Sequence, residues 1–347
     1  TSSKNRLLSK VSLKYIIICM SFIMLLNYFG VFTHIFEVTY DEHFIYPYNG
    51  NIHEFVNALR HNQKPAVDPI NVYNYSFIHN NAEKCQETEH SKFRVIYIVK
   101  SNIENFDKRR AIRNSWGYEK RFFDVPSRTI FLLGVHPDDE ELQAKVKLEA
   151  SKYKDIIQAN FKDAYYNNTI KTLMGFKWAV KYCSNSKFYM FIDDDMYVSV
   201  KNVLRFIRNP RQVFDFELPE DVRLFAGFVF VSSPHRHRSS KWYVSLEEYP
   251  YHLWPPYVTA GSFILSQEAL LDMYYSSFYT KHFRFDDIFL GLVAKKADIE
   301  PFHCEEFHFY KKDYTRFNYK YVITSHGYGD PNELLRVWNE QKALGNA

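Results

Sequence analysis

The stretch "KFYMFIDDDMYVSV", residues 187–200, carries an apolar run directly into three consecutive carboxylates. Its aromatic and aliphatic residues are typical of a buried β-strand. Side chains alternate along a strand, so Asp193 and Asp195 share one face while Asp194 points to the other. The apolar pattern resumes at Met196 instead of opening into a polar loop. We therefore expect a buried strand that ends in an acidic cluster.

Short apolar runs alternate with amphipathic stretches around this strand. Strands are predicted over residues 93–99, 128–135, 155–161 and 187–192, with helices between them over 107–117, 138–153 and 167–183. The alternation predicts an α/β fold with a mostly parallel central sheet and helices on both faces. After residue 210 the alternation stops. Further strands are predicted over 224–230, 241–249 and 257–266, and further helices over 284–297 and 331–344.

The acidic cluster has two interpretations. In parallel α/β sheets, ligands bind in the crevice beyond the carboxyl ends of the strands. Three acids there repel one another unless a cation or hydrogen-bond donors compensate, and Mn²⁺ or Mg²⁺ with phosphate oxygens is the natural partner. A solvated turn that caps the strand is the alternative. The apolar residues on both sides favour the metal and phosphate site.

A second acidic pair, Asp286 and Asp287, begins a predicted helix in "FRFDDIFLGLV", residues 283–293. The helix dipole favours acids in a first turn and accounts for one of them. The other is a candidate general base that takes a proton from an attacking hydroxyl. His326, in "ITSHGYGDP", is either a structural histidine or a neutral imidazole ligand for a metal.

The N-terminal region has the features of a membrane anchor. Residues 15–33 carry no charge and are long enough to span a bilayer as one helix. Four cations and no acids precede them, which predicts a cytoplasmic N-terminus. We therefore expect a cytoplasmic tail over 1–14, an uncleaved signal anchor over 15–33, a luminal stem over 34–91 and a catalytic domain over 92–347. A cleaved signal peptide is the alternative for the apolar segment.

The charge balance excludes one class of partner. The chain has 347 residues, of which 46% are hydrophobic and 24% charged, as in a globular protein. Of its 44 Lys and Arg residues, four lie in residues 1–36, where there is no acid; the rest of the chain therefore carries 40 basic and 40 acidic groups. Because a nucleic-acid-binding domain normally has a basic excess, we expect no nucleic-acid partner.

Cysteines and sequons are consistent with the secretory pathway. The cysteines are Cys19, Cys85, Cys183 and Cys304. Their spacing matches no zinc pattern, and three of them follow the apolar segment, so at most one intramolecular bridge forms there. Asn74 and Asn167 begin Asn-X-Ser/Thr triplets and are candidate glycosylation sites.

Four stretches taken together resemble one family, the β-1,3-glycosyltransferases that transfer galactose or N-acetylglucosamine from UDP. They are "RRAIRNSWG" (109–117), "FIDDDMYVS" (191–199), "WPPYVTAGSFILS" (254–266) and "FRFDDIFLG" (283–291). The resemblance implies a GT-A-type, Rossmann-like nucleotide-sugar-binding fold in the Golgi lumen and a single displacement that inverts the anomeric carbon. It also implies transfer from UDP-N-acetylglucosamine (UDP-GlcNAc) to a glycolipid or glycan acceptor ending in β-mannose. UDP-galactose as donor, and an inactive glycan-binding protein, are the alternatives.

The resemblance implies a role for each matching residue. Asp287 is expected to be the base, and Asp195 and His326 to hold Mn²⁺ or Mg²⁺. Residues expected near the UDP-sugar or supporting its loop are Arg109, Arg110, Arg113, Trp116, Asp163, Lys171, Asp193, Asp194 and Gly261. Trp242 and Trp254 are candidate platforms for sugar rings, with core packing as the alternative for both.

Overall fold

The computed structural model describes residues 2–45, 50–86, 93–122, 125–208 and 222–347. The expected boundary between stem and catalytic domain, at residues 91 and 92, lies outside these ranges. The chain divides into two compact units. The small unit comprises Thr1–Tyr46 and Val231–Pro255, and the large unit comprises Pro47–Phe230 and Pro256–Ala347.

The helices and strands of both units are numbered here in chain order, and they alternate from β2 to β5. The helices are α1 (Ser2–Tyr28), α2 (Val31–Ile35), α3 (Tyr40–His43), α4 (His53–Arg60), α5 (Phe106–Arg113), α6 (Glu140–Tyr153), α7 (Asn168–Tyr182), α8 (Val200–Arg208), α9 (Gln267–Ser276), α10 (Asp286–Lys296) and α11 (Pro331–Ala343). The strands are β1 (Phe77–His79), β2 (Phe93–Lys100), β3 (Ser127–Val135), β4 (Ile156–Lys162), β5 (Ser186–Asp193), β6 (Tyr197–Val198), β7 (Phe225–Phe230), β8 (Tyr257–Ser266), β9 (Phe302–His303), β10 (Phe307–His308) and β11 (Thr324–Ser325).

Within the described ranges, eight strands form the central sheet, in the order β1-β4-β3-β2-β5-β8-β7-β9. The four strands from β4 to β5 are parallel, whereas β8 is antiparallel to both β5 and β7, and β1 is antiparallel to β4. The sheet is therefore mixed, which corrects the prediction of a mostly parallel sheet. Helices α5, α6 and α7 supply the crossovers that parallel neighbours require, but residues 231–256, which connect β7 to β8, contain no helix.

The four strands predicted between residues 93 and 192 are confirmed to within one residue at each end. The strand predicted over 241–249 is wrong, since that segment forms turns and one isolated bridge from Tyr243 to His235. The buried Arg236 guanidinium occupies carbonyls that a strand would offer to a neighbour. It donates to the carbonyl oxygens of Val244, Ser245, Tyr249 and Tyr251.

Much of the segment expected to be a stem is part of the large unit. Ile52 and Val56 are buried against Tyr279. Arg60, at the end of α4, forms ion pairs of 2.6 Å and 2.5 Å with two acids of α9. Strand β1 pairs with β4 at the sheet edge. A disulfide joins Cys85 to Cys183 across 98 positions of sequence. Because Cys183 directly follows α7, the end of this segment is covalently linked to the C-terminal end of that helix.

The N-terminal helix α1 ends at Tyr28, and the chain turns at Gly30, which has a φ of 77°. A Cβ at Gly30 would lie 2.6 Å from the carbonyl oxygen of Arg236, so the close approach of the two backbones requires glycine. Within the part of the chain that the structure describes, no helix is both long and apolar enough to cross a membrane.

Candidate active site

A buried lysine lies at the centre of the acidic cluster. Lys100 ends β2 beside Asp193, the last residue of β5, because the two strands are parallel and in register. Its Nζ lies 3.0 Å from Asp193 Oδ1 and 2.9 Å from Asp286 Oδ2, and it donates to the Ala260 carbonyl oxygen at 3.1 Å. Only 4% of the lysine side chain is exposed. Lys100 therefore joins three parts of the site: β5, β8 and α10.

Lys100 is absent from the predicted site residues. The available signal was a lysine closing the apolar strand "FRVIYIVK", residues 93–100. A cation at the end of a buried strand requires a partner, but the partner depends on which strands are neighbours. That pairing appears only in the folded sheet.

In the second acidic pair, Asp286 is buried and hydrogen-bonded, whereas Asp287 is more accessible. Asp286 is 5% exposed and accepts hydrogen bonds from Lys100 and from Thr172 Oγ1, the latter at 3.1 Å. Asp287 is partly exposed, and its Oδ1 accepts the Ile288 amide at 2.8 Å. Both lie in the first turn of α10, where the helix dipole stabilises negative charge.

Burial brings two of these carboxyls to titrate close to neutral pH. It raises the pKa of Asp193 to about 6 despite the opposing charge of Lys100. It raises the pKa of Asp287 to about 7, and the charge of Asp286 adds to the effect. A general base works best when its pKa is near the operating pH. The electrostatics of Asp287 therefore suit the role predicted for it.

Asp195 and His326, the two predicted metal ligands, lie next to each other. His326 Nε2 is 3.3 Å from Asp195 Oδ2. Two backbone hydrogen bonds hold this part of the chain. The backbone amide of His326 donates to the His308 carbonyl at 3.1 Å, and the backbone amide of Tyr328 donates to the Asp195 carbonyl at 2.8 Å. These backbone bonds bring the loop before α11 against the end of β5.

The other oxygen of Asp195, Oδ1, is buried and has no hydrogen-bond partner among the described residues. Burial alone would raise the pKa of Asp195, but the hydrogen bond from His326 and the charge of Lys108 hold it below its ordinary value. That hydrogen bond also raises the pKa of His326 against the effect of burial. An ionised, under-satisfied carboxylate beside an imidazole fits a divalent cation.

In the described ranges, no group of three or more His, Cys, Asp or Glu side chains is arranged to hold a metal ion. Asp195 and His326 are two donors. Mg²⁺ sites of nucleotide enzymes commonly take one or two protein ligands, and substrate phosphates and water complete the coordination.

Asp194 faces away from these two groups and holds the loop after β2. Its carboxylate is 7% exposed and accepts four hydrogen bonds. The donors are Ser101 Oγ (2.7 Å), the Asn102 amide (3.3 Å), Asn105 Nδ2 (2.8 Å) and Lys108 Nζ (3.0 Å). Strand β5 ends at Asp193, and Asp194 and Asp195 lie in the turn that follows it. The strand alternation predicted for the three acids is therefore wrong beyond Asp193, and it is this turn that directs Asp194 to the loop.

Two of the predicted arginines form a buried ion-pair network behind the same loop. Arg109 is 0% exposed and pairs with Glu149 at 2.7 Å, and Arg113 pairs with Glu149 and Asp155 at 2.7 Å each. Arg109 also donates to loop atoms, namely Ser101 Oγ and the carbonyl oxygens of Asn102 and Ile103. Arg110 lies on the surface and pairs with the exposed Asp107 at 3.3 Å.

Three further residues expected near the UDP-sugar, Asp163, Lys171 and Trp116, are buried and contact the protein backbone or one another. Lys171 and Asp163 form a 2.7 Å ion pair with both side chains at most 4% exposed. Lys171 Nζ donates to the Ser101 carbonyl at 2.8 Å. Trp116 Nε1 donates to the Met196 carbonyl at 3.1 Å, just after the three acids. The residues expected around the UDP-sugar thus include several whose described contacts are with protein.

Gly261 lies on β8 beside Met196. A Cβ added there would be 3.5 Å from the methionine sulfur, which is an ordinary contact distance. The two candidate sugar platforms differ. Trp254 is 4% exposed and packs on Tyr249 with ring centroids 3.9 Å apart, whereas Trp242 is 44% exposed; both lie in the small unit.

The two sequons have different surroundings. Asn74 is exposed on the extended segment before β1. Asn167 is partly exposed and its Nδ2 donates to the Lys162 carbonyl at 2.8 Å. The threonine of the second sequon, Thr169, is buried and donates to the Phe283 carbonyl at 2.7 Å. The first sequon is therefore the more accessible of the two.

A mixed α/β sheet with carboxylates and an imidazole beyond the carboxyl ends of its parallel strands is consistent with the nucleotide-sugar-binding fold that the family resemblance implies. The chain belongs to the galactosyltransferase family, whose sequence pattern matches residues 107–305. The resemblance to β-1,3-glycosyltransferases is confirmed, and the chain is an enzyme of this class. The alternative of an inactive glycan-binding protein is set aside.

Three relatives illustrate the similarity. The chain is 44% identical over 326 residues to the Drosophila melanogaster protein named β-1,3-galactosyltransferase brn, or brainiac, which covers 94% of each chain. It is 34% identical over 275 residues to mouse β-1,3-galactosyltransferase 1, covering 79% of this chain and 81% of that one. It is 31% identical over 341 residues to zebrafish lactosylceramide 1,3-N-acetyl-β-D-glucosaminyltransferase B, covering 94% and 85%.

Proposed function

We propose that the enzyme transfers N-acetylglucosamine from UDP-GlcNAc in β-1,3 linkage to a β-mannose-terminated glycosphingolipid, with inversion at the anomeric carbon. The observation that carries the proposal is the placement of Asp195, His326 and Asp287 at one edge of the sheet, around the pair formed by Lys100 and Asp193. The linkage follows the names of the three relatives.

Asp287 is the proposed base. Because Oδ1 accepts the Ile288 amide, Oδ2 is the atom that takes the proton from the acceptor hydroxyl. The hydroxyl oxygen then attacks the anomeric carbon from the face opposite UDP, which inverts the configuration. One protein base is sufficient for this reaction, in contrast to the two carboxyl groups of a glycoside hydrolase.

Asp195 and His326 would hold the Mn²⁺ or Mg²⁺ ion. When bound, such an ion neutralises negative charge on the diphosphate leaving group. The ionised state of Asp195, which His326 and Lys108 favour, is the state that a cation requires.

UDP-galactose is the second candidate donor. The names of the family and of the Drosophila and mouse relatives favour it, whereas the zebrafish relative is named for N-acetylglucosamine transfer. The two sugars differ in an acetamido group and in the configuration of one hydroxyl. Discrimination between them depends on a few contacts in the donor pocket.

The test measures UDP release and product formation by the purified full-length chain. UDP-GlcNAc and UDP-galactose are compared with a β-mannoside acceptor and Mn²⁺. We expect transfer from UDP-GlcNAc, loss of transfer with EDTA, and recovery with added Mn²⁺. Transfer from UDP-galactose alone would replace the proposed donor, and full activity in EDTA would remove the metal from the proposal.

For the cellular location, we propose a single-pass anchor over residues 15–33 that holds the rest of the chain in the Golgi lumen. Four observations support it: the cations before an uncharged segment, exposed apolar side chains on α1, the bridge between Cys85 and Cys183, and the exposed sequon at Asn74.

Alkaline carbonate extraction of cell membranes tests the anchor. We expect the full chain to stay in the membrane pellet and to be protected from added protease in intact vesicles. Asn74→Gln should lose one glycan by gel mobility. Release of the chain by carbonate would contradict the anchor, and digestion in intact vesicles would contradict a luminal domain.

A further inference from the structure

Four interlocked aromatic rings line one end of β7 and β8. We call Phe228, Phe230, Tyr257 and Phe309 the aromatic row. The Phe309 ring lies 4.7 Å from that of Phe228 and 4.8 Å from that of Phe230, by centroids, and Phe230 stacks on Tyr257 at 6.1 Å with an interplanar angle of 28°. All four belong to the large unit.

The aromatic row is continuous with the helix that carries the proposed base. A Cβ added at Gly291 would meet Tyr257 Cβ at 2.6 Å, so the tyrosine backbone packs directly on α10. Gly291 is four positions after Asp287 and thus lies one turn further along the same helix face. Tyr257 is therefore a near neighbour of the surface that Asp287 faces.

The other end of the row adjoins the proposed metal ligand. Phe309 directly follows His308, whose carbonyl accepts the His326 amide at 3.1 Å. Strand β10, which ends at His308, pairs with β11, which ends one residue before His326. One member of the row thus directly follows the residue whose carbonyl holds the His326 backbone.

These rings are only partly buried, although Phe228 also packs against the main core. Phe225 and Phe263, on the same two strands, are 0% exposed, whereas Phe309 is 39% exposed and the others are partly exposed. Exposed aromatic surface in water is unfavourable, and ring faces offer stacking to a flat apolar partner. The C–H face of a pyranose ring is such a partner.

The sheet order separates this surface from the expected nucleotide site. Nucleotides bind beyond the carboxyl ends of parallel strands, and here the parallel strands are β4, β3, β2 and β5. Three members of the aromatic row lie on β7 and β8, on the other side of β5, and Phe309 directly follows β10 of the smaller sheet. Asp193 and Asp195, at the end of β5, lie between the two regions.

We infer that the aromatic row is the acceptor subsite, where a sugar ring of the acceptor stacks on Phe309 beside Phe230. This inference rests on the proposed function. The stacked ring holds the acceptor so that its hydroxyl reaches Asp287.

The experiment measures acceptor and donor KM for full-length Phe309→Ala, Phe309→Leu, Phe309→Tyr and the control Phe317→Ala, which truncates an aromatic side chain that is 84% exposed. We expect acceptor KM to rise about 3- to 10-fold in Phe309→Ala. Phe309→Leu should be impaired to an intermediate degree, because it keeps the apolar surface without the ring. Phe309→Tyr and Phe317→Ala should match the wild type, and donor KM and donor hydrolysis should be unchanged in all four variants.

Unchanged acceptor KM in Phe309→Ala would overturn the inference, as would equal values for the leucine and tyrosine variants or a rise in donor KM alone. Thermal melting confirms that each variant is folded. Acceptor binding is measured separately by saturation-transfer NMR with the β-mannoside. If the wild type shows neither transfer nor UDP release, the proposed function fails. Ligand signals that persist in the wild type and weaken in Phe309→Ala would still support the subsite, and equal signals would reject it.

Discussion

Asp287→Asn is expected to lower the turnover number for sugar transfer by about 100-fold or more, while binding of the UDP-sugar stays nearly unchanged. The amide has almost the same shape as the carboxylate and can still accept the Ile288 amide hydrogen. It cannot take a proton from the acceptor hydroxyl. Transfer is measured by product formation at saturating acceptor, and donor binding by titration calorimetry.

The pH profile gives an independent measure of the same role. Burial raises the pKa of Asp287 to about 7, and the base is active only when ionised. The turnover number of the wild type should therefore rise as the pH increases toward about 7 and level off above it. In Asp287→Asn this rise should disappear from the residual activity.

Asp298→Asn is the matched control. Asp298 follows α10, its side chain is 75% exposed, and it has a positive φ of 51°, which asparagine also tolerates. Its turnover should equal that of the wild type. Equal turnover in Asp287→Asn and the wild type would remove Asp287 from the role of base, and loss of donor binding would assign it to the donor site instead.

The parallel half of the fold follows from local patterns in the sequence. Strands β2 to β5 are apolar runs separated by amphipathic helices, and their bounds agree with the prediction. The antiparallel half depends on long-range pairing, because β8 enters between β5 and β7. The local pattern also gives a wrong prediction at residues 241–249, which form turns instead of a strand. Arg236 donates hydrogen bonds to backbone carbonyl oxygens of this segment. Hydrophobic composition predicts burial there but not strand pairing.

The same division applies to the site. Strand alternation does not extend to Asp194 and Asp195, because both lie in the turn after β5. The folded chain brings Asp195 and His326 together across more than a hundred residues. The network of Lys100 with Asp193 and Asp286 is not predictable from spacing, since it needs the register of β2 with β5 and the position of α10. The family resemblance supplied the acids, but the cation that neutralises two of them appears only in the folded chain.

Lys100→Met is expected to lower the free energy of unfolding by about 3–5 kcal/mol and to abolish transfer. Methionine retains the length and apolar contacts of the lysine side chain but leaves the buried Asp286 and the partly exposed Asp193 without their shared cation. Burial already raises the pKa of Asp193, and without this cation the folded-state pKa of Asp193 should rise further above its value in the unfolded chain. Because the folded chain then keeps this proton to a higher pH than the unfolded chain does, folding becomes less favourable as the pH rises from the unfolded-state pKa to the folded-state pKa. The loss should accordingly be larger at pH 8 than at pH 5, as measured by urea denaturation.

Lys145→Met, which removes a surface lysine from α6, is the control and should change stability by no more than about 0.5 kcal/mol. The double variant Lys100→Met/Asp286→Asn separates charge from packing. Because the amide removes one of the two uncompensated charges, the double variant should be more stable than the sum of the single effects predicts. Additive effects would mean that Lys100 stabilises the fold through its packing, and the shared cation would then not be the feature that holds the second acidic pair against β5.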